Sequence, residues 1–362
     1  MIKKVAIVGT QGVPARYGGF ETLVENIIGE NCSPEIQYTV FCSSKDMPQK
    51  LTSYRGAALR YVPLHANGVQ SIPYDILSMI KTVGHGFDAM LVLGTSGCMF
   101  LPILRLFFRK KIIVNIDGLE HRRAKWGKMA KRYLRMSEAV AVKMADVIVA
   151  DNQGIAQYVK EKYGFQPSVI AYGGDHVLMN LSEERQCELL KTYGVEPGKY
   201  AVTVCRIEPE NNSRMILETF AAQKDMKLVF VGNWEKSDYS RSLREEFGKY
   251  SHICLVNSEY NLDRLYALRS QCAFYIHGHS AGGTNPSLVE AMWLGCPVLA
   301  YDVVYNRYTT GNRARYFHNS DELAALLQVS EAERKRIGRD LRQLAEEEYH
   351  WKRIAEQYEA EY

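Results

Sequence analysis

The chain has 362 residues, 46% of them apolar and 24% charged, a make-up that excludes a disordered or fibrous chain and suits two globular domains. Net charge is only +4, yet residues 1–175 hold 22 Lys and Arg against 14 Asp and Glu, while the remainder holds 23 against 27. Eight cysteines are scattered without a C-x-x-C pair, which argues against a disulfide framework or a zinc site and for reduced thiols in a cytoplasmic protein.

The apolar run in Met-Ile-Lys-Lys-Val-Ala-Ile-Val-Gly is too short for a signal peptide and reads as a first strand. Short β-branched runs then alternate with helical patterns, as in parallel sheets covered by helices. The first series is Val5–Val8, Tyr38–Cys42, Leu59–Val62, Ala89–Leu93, Ile112–Ile116, Val147–Ala150 and Ser168–Ala171. The second is Tyr200–Val204, Lys227–Val231, Ile253–Val256, Ala273–Ile276, Pro297–Ala300 and Arg315–Phe317. Two series predict two sheets, with Ala171-Tyr-Gly-Gly-Asp175 and a polar helix over Ser182–Tyr193 at the join. The expected domains are 1–175 and 176–340, followed by a segment, 341–362, that packs back on the first domain. The tail from Ser330 is expected to be helical throughout. The longest uncharged stretch, Ala89 to Leu104, is interrupted by Gly94, Ser96 and Gly97 and is too short to span a membrane.

Open parallel sheets place chemistry outside the carboxyl ends of their strands, where helix N-termini offer N–H groups to anions. Three segments occupy that position. Gly9-Thr-Gln-Gly-Val-Pro-Ala-Arg-Tyr-Gly-Gly-Phe-Glu21 leaves the first strand, and Gly18-Gly19 before its helix either meets a phosphate or makes a structural turn; it contains neither a dinucleotide nor a Walker fingerprint. Val204-Cys-Arg206-Ile-Glu208-Pro-Glu210-Asn211-Asn212 leaves the first strand of the second series, and Arg206 either clamps a diphosphate or pairs with Glu208 or Glu210. His277-Gly-His-Ser-Ala-Gly-Gly-Thr-Asn-Pro-Ser-Leu-Val-Glu290 is a glycine-rich loop entering a helix, with Asn285-Pro286 at its start and Glu290 a turn further in, placed to accept ribose hydroxyls.

Asp117 ends an apolar strand and is followed by Gly118, so it either faces the crevice, with Glu120 beside it, or is a turn or N-cap residue. His121 beside it is expected at the surface, and His277 and His279 are expected to line the crevice; no cluster has metal-ligand spacing. Between Arg105 and Arg135 eleven basic residues face only Asp117 and Glu120, with Leu106, Phe107, Phe108, Trp126, Met129, Tyr133 and Leu134 among them. This suits an anionic membrane surface or a polyphosphate, or else is a solvated basic face; no nucleic-acid module accompanies it.

Arg206, Gly283, Glu290-Ala-Met292, Gly295 and Pro297-Val298, in this order and spacing, resemble glycosyltransferase family 4 over nearly the whole chain. The resemblance implies an α/β GT-B fold, two Rossmann-like domains with parallel sheets facing a central cleft. Three departures stand out: the family's usual Lys is replaced within Pro209–Asn212, the first Glu of its pair is Gly282, and its acceptor-side His-Gly is Asp117-Gly118. Gly-Thr-Gln-Gly-Val-Pro-Ala-Arg-Tyr-Gly-Gly-Phe-Glu, Asp-Gly-Leu-Glu, Arg-Ile-Glu-Pro-Glu-Asn-Asn and Gly-Gly-Thr-Asn-Pro-Ser-Leu-Val-Glu-Ala-Met together resemble a bacterial rhamnosyltransferase subgroup of surface-polysaccharide synthesis. That implies retaining transfer from a nucleotide-diphosphate sugar to a lipid-linked saccharide, without metal or other cofactor. The donor is expected to meet Gly18, Gly19, Arg206, Asn211, Asn212, Gly283, Thr284, Asn285, Ser287, Leu288 and Glu290, and Asp117, Glu120, Arg206 and Glu290 are expected to serve catalysis. A GT-B epimerase or phosphorylase, or a non-catalytic scaffold, would use the same anion-binding parts.

Overall fold

In the computed structural model, which describes residues 2–15, 18–122 and 126–362, every expected strand forms, with ends shifted by up to two residues. Met1–Gly173 with Trp351–Tyr362 make one unit and Gly174–His350 the other. The first unit runs β1 (Lys3–Val8), α1 (Gly19–Gly29), β2 (Ile36–Ser43), β3 (Ser53–Tyr54), β4 (Ala57–Val62), α2 (Ser71–Ile80) and β5 (Ala89–Leu93). It continues through α3 (Leu101–Leu104), β6 (Lys111–Asn115), α4 (Lys128–Met144), β7 (Val147–Ala150), α5 (Gln153–Tyr163) and β8 (Ser168–Val169).

Across its sheet the order is β3-β4-β2-β1-β5-β6-β7-β8, parallel at every pairing but β3 with β4. The β3 hairpin escapes the sequence reading because two residues beside a turn at Arg55 and Gly56 carry no period. β1 lies centrally, Val5 opposite Tyr38 on one side and Ala89 on the other, so Val5–Val8 are wholly buried and apolar without alternation. The order reverses between β1 and β5, and the loops leaving them, Gly9–Gln11 and Gly94–Gly97, flank the position where such sheets open a crevice.

The second unit runs α6 (Glu183–Lys191), β9 (Tyr200–Val204), α7 (Ser213–Ala222), β10 (Lys227–Gly232), α8 (Asp238–Phe247), β11 (Ile253–Asn257), α9 (Leu262–Ser270) and β12 (Phe274–His277). Then come α10 (Pro286–Trp293), β13 (Val298–Tyr301), α11 (Val304–Thr309), β14 (Arg315–Phe317), α12 (Ser320–Leu326) and α13 (Glu331–Glu348). Its sheet, β11-β10-β9-β12-β13-β14, is parallel throughout and reverses between β9 and β12. The segments after Val204 and His277 therefore leave the two strands of its switch point.

The tail is not one helix. α13 stops at Glu348 and α14 (Trp351–Ala360) starts afresh. The Tyr349 carbonyl accepts from the Gly174 amide at 2.9 Å and the Trp293 indole at 3.0 Å, and the Tyr349 hydroxyl donates to the Thr309 carbonyl at 2.8 Å. Residues 341–350, expected to travel with the tail, are thereby held in the second unit, while Trp351, Ile354 and Tyr358 enter the core of the first. The glycines at the join are there for space. A Cβ on Gly173 would lie 2.5 Å from the Trp351 ring, and one on Gly174 would lie 2.5 Å from the Trp293 ring.

Candidate functional site

In the second unit, the chain leaving β9 passes Arg206 and turns through Pro209–Asn211 before α7. Arg206 is about one-third exposed, and its Nη1 lies 3.7 Å from a carboxylate oxygen of Glu208, a loose pairing rather than a closed bridge. The asparagines expected to meet a donor each make one bond within the loops. Buried Asn211 donates to the Arg206 carbonyl at 2.7 Å, and Asn212, at φ 51°, donates to the Gly278 carbonyl at 2.8 Å. They shape the Arg206 loop and lace it to the loop after β12. Ser280 adds two bonds, amide and hydroxyl each donating to the Glu210 carbonyl at 2.8 Å. Gly278 is required here, since a Cβ would lie 2.2 Å from the Asn211 carbonyl oxygen.

Asn285 is the N-cap of α10. Its Oδ1 accepts from the Ser287 amide at 3.0 Å, and its carbonyl accepts from the Leu288 amide at 3.0 Å. Two of the amides expected to bind phosphate are thus already bonded within the helix start. Thr284 is buried, whereas Gly283 lies half-buried beside Gly282, which sits at φ 128° in open space. Glu290, a turn into α10, places Oε2 2.7 Å from Nη2 of Arg269 and Oε1 3.5 Å from Nε2 of His176. Burial raises its carboxyl pKa, but Arg269 and then His176 outweigh that and hold it below the usual range. Neither partner carries a motif; Arg269 ends α9 and His176 follows the Gly-Gly join. The expected crevice lining is corrected for His277, whereas His279 is half-buried. His277 is fully buried, stacked on His279 with ring centroids 4.4 Å apart, and burial depresses its pKa to about 3.

In the first unit, Gly18 at φ 124° precedes α1, and a Cβ there would lie 2.0 Å from Oε2 of Glu21. Glu21 folds its carboxylate back over this helix start, accepting from the Thr10 hydroxyl at 3.0 Å and the Gln11 amide at 2.8 Å. The Glu21 carboxylate thus lies beside Gly18 at the start of α1, bonded to Thr10 and Gln11. Burial raises the Glu21 carboxyl pKa, opposed by these donors and reinforced by the nearby Asp117 charge. Arg16 and Tyr17 of the same segment lie outside the described residues.

Asp117 follows β6 at φ 57°, a left-handed conformation rare for a residue with a Cβ and found often at functional positions. Its amide donates to Asn115 Oδ1 at 2.9 Å. Glu120 begins a short 3-10 turn, and its Oε2 accepts from the Trp126 indole at 2.9 Å. His121 is not at the surface: it is buried, with Nδ1 3.0 Å from Glu138 of α4. Tyr158 and Tyr163 of α5 donate to the other oxygen of Glu138 at 2.8 and 2.6 Å.

The stretch from Arg105 to Arg135 is not a single face. Arg105 is taken up by the Met144 and Lys110 carbonyls and Asp146, and Phe108 and Leu134 are internal. Ile103, Leu106, Phe107, Met129 and Met136 are exposed, as are Arg109, Lys110, Lys128, Arg132 and Arg135. Arg123 and Lys125 lie outside the described residues. Among the described residues no helix is long and apolar enough to cross a membrane, and no group of three His, Cys, Asp or Glu side chains is placed to hold a metal ion.

Residues 2–175 match a family described as a domain of unknown function (DUF1972), and residues 191–339 match Glycosyl transferases group 1. No curated protein matches the chain significantly in sequence. Among solved structures, sucrose-phosphate synthase from Thermosynechococcus elongatus superposes with a TM-score of 0.83 at 14% identity, over 99% of this chain and 98% of that one. Anabaena HepE in complex with UDP and glucose gives 0.78 at 14% identity, over 99% of each chain. A putative UDP-N-acetylglucosamine 2-epimerase from Listeria monocytogenes gives 0.62 at 14%, over 99% and 95%. The second unit thus carries a glycosyl transferases group 1 domain over residues 191–339, and the chain has the GT-B fold of those glycosyltransferase structures, with two parallel-sheet α/β domains.

Proposed function

We propose that the chain moves a sugar, with retention at the anomeric carbon, from a nucleotide-diphosphate donor to a lipid-linked saccharide in cell-surface polysaccharide synthesis. The observation that carries the donor half is the ionised Glu290 on α10, at the same sheet edge as Arg206, inside the group 1 domain. Arg206, loosely held by Glu208, is available to exchange that partner for the leaving diphosphate, whose charge its guanidinium and the positive end of α10 stabilise. Glu290 accepts ribose hydroxyls. Asp117, held in its left-handed turn, orients the acceptor on the first unit, and Glu120 supports it through the Trp126 contact. No metal or other cofactor is called for in this reading. The HepE complexes with UDP, glucose and UDP-glucose support a nucleotide-sugar donor in a fold of this kind. The subgroup resemblance makes dTDP-rhamnose the first donor to test, with UDP-hexoses next.

The lipid-linked acceptor implies work at a membrane, on its cytoplasmic side. Leu106 and Phe107 beyond α3, with Met129 and Met136 of α4 on which α3 packs, offer apolar groups beside exposed Arg109, Lys110, Lys128, Arg132 and Arg135. That combination suits an anionic lipid surface.

The test is a thermal-shift and calorimetric panel of dTDP-rhamnose, UDP-glucose, UDP-galactose, UDP-N-acetylglucosamine and GDP-mannose, since a ligand of the native state raises its melting temperature. Selective stabilisation by one donor, followed by transfer to acceptor, is the expected result. Donor conversion without acceptor would favour an epimerase and a requirement for inorganic phosphate a phosphorylase. Binding without turnover would leave a scaffold.

A further inference from the structure

The buried Arg269 is unaccounted for by any motif. It is 5% exposed and belongs to the last turn of α9, before β12, whereas Glu290 belongs to α10, after β12. The Arg269 carbonyl accepts from the Cys296 thiol at 3.1 Å, and the buried Tyr275 hydroxyl of β12 donates to the Val204 carbonyl at 3.4 Å. The two carboxylate oxygens of Glu290 are thus unequal. Oε2 is held by Arg269 at 2.7 Å, while Oε1 lies 3.5 Å from Nε2 of His176. A charge-assisted bond of that length in a buried setting restricts the rotation of a carboxylate far more than the longer contact does.

We infer that Arg269 is a positioning residue: by gripping Oε2 it turns Oε1 of Glu290 toward the nucleotide and so sets how firmly the site recognises ribose hydroxyls. The inference rests on the reading of Glu290 as the ribose acceptor. A purely structural pair would support the fold and the affinity for every ligand alike. A positioning pair changes the preference between a ligand that has the hydroxyls and one that lacks them.

The experiment compares wild type with Arg269→Lys, Arg269→Gln and Glu290→Gln by calorimetry. The probes are UDP and dTDP, each beside its analogue without a free ribose hydroxyl, 2′,3′-dideoxyuridine diphosphate and 3′-deoxythymidine diphosphate. Arg269→Lys keeps a buried cation against Glu290, so folding is retained even if Arg269→Gln fails to fold. For the nucleotide the wild type binds, losing the hydroxyls weakens binding about 10-fold or more, the scale of one hydrogen bond to a charged group. Glu290→Gln brings that ratio to about 1, and both Arg269 variants bring it down several-fold while the analogue's own affinity changes little. If Glu290→Gln loses the preference and the Arg269 variants keep it, the positioning role is overturned. If Glu290→Gln keeps it, the ribose reading of Glu290 falls and takes this inference with it.

Discussion

The amide of Asn115 donates to the phenol oxygen of Tyr358 at 2.7 Å, a bond spanning 243 residues of sequence, and the other end of the same Asn115 side chain accepts from the Asp117 amide. The C-terminal helix thereby braces the left-handed turn that presents Asp117. Tyr358→Phe leaves a buried donor without its partner, so we expect a loss of about 1–3 kcal/mol. We also expect reduced turnover with unchanged nucleotide affinity, because the proposed nucleotide contacts, Arg206 and Glu290, lie in the other unit. Calorimetric unfolding and a donor titration check both halves.

Glu290→Gln and Arg206→Ala are each expected to lower kcat/KM by about 100-fold or more, the scale of removing one preorganised charge contact from a transition state, with unchanged circular dichroism. Near-normal steady-state kinetics in both variants would remove these residues from the site.

Glu138 governs acid stability in the first unit. Burial raises its pKa, but His121 and the two tyrosine hydroxyls outweigh that and hold it at about 2, against an ordinary value of 4.5. A carboxyl depressed in the folded state contributes stability that is present above its ordinary range and is lost as pH falls from there toward about 2. The contribution is on the order of 3 kcal/mol. Glu138→Gln should flatten urea-unfolding free energies across that window and leave their slope near neutrality unchanged. A variant with the wild-type acid slope would contradict this.

Gly173→Ala drives a methyl into the Trp351 ring and Gly174→Ala drives one into Trp293. Overpacking of this kind costs about 1–3 kcal/mol. The measurement is the urea midpoint at constant m-value, and Gly164→Ala, where a Cβ meets nothing within 4 Å but φ is 68°, separates space from backbone strain.

Leu106→Ser with Phe107→Ser should weaken sedimentation with anionic vesicles while leaving the melting temperature within a degree or two, since both side chains are exposed. Charge reversal at Lys128 and Arg132 should add a salt-dependent loss. Binding that none of these changes alters would return the stretch to a solvated basic face.

Strand positions, the two sheets and the segments that flank the switch points were legible because β-branched runs, glycine turns and helix caps are local signals, each written within about ten residues. The places of Arg206 after β9 and of Glu290 within α10 were legible for the same reason: strand ends and helix starts have known directions. What remained hidden depends on distant partners. No period announces that Glu21 folds over its own helix start, that Asn211 and Asn212 are taken by carbonyls, that His121 is buried against Glu138, or that Arg269 grips Glu290. Such pairings follow from which strands lie side by side. The break at Tyr349 and His350 is of the same kind. Its residues carry a helical pattern, and only the carbonyl bonds to Gly174 and Trp293 decide that the helix ends there. The sequence by itself determined the elements and the strand edges at which the proposed site residues stand; the tertiary structure decided which charged groups pair at those edges, because burial and ion pairing are properties of neighbours in space.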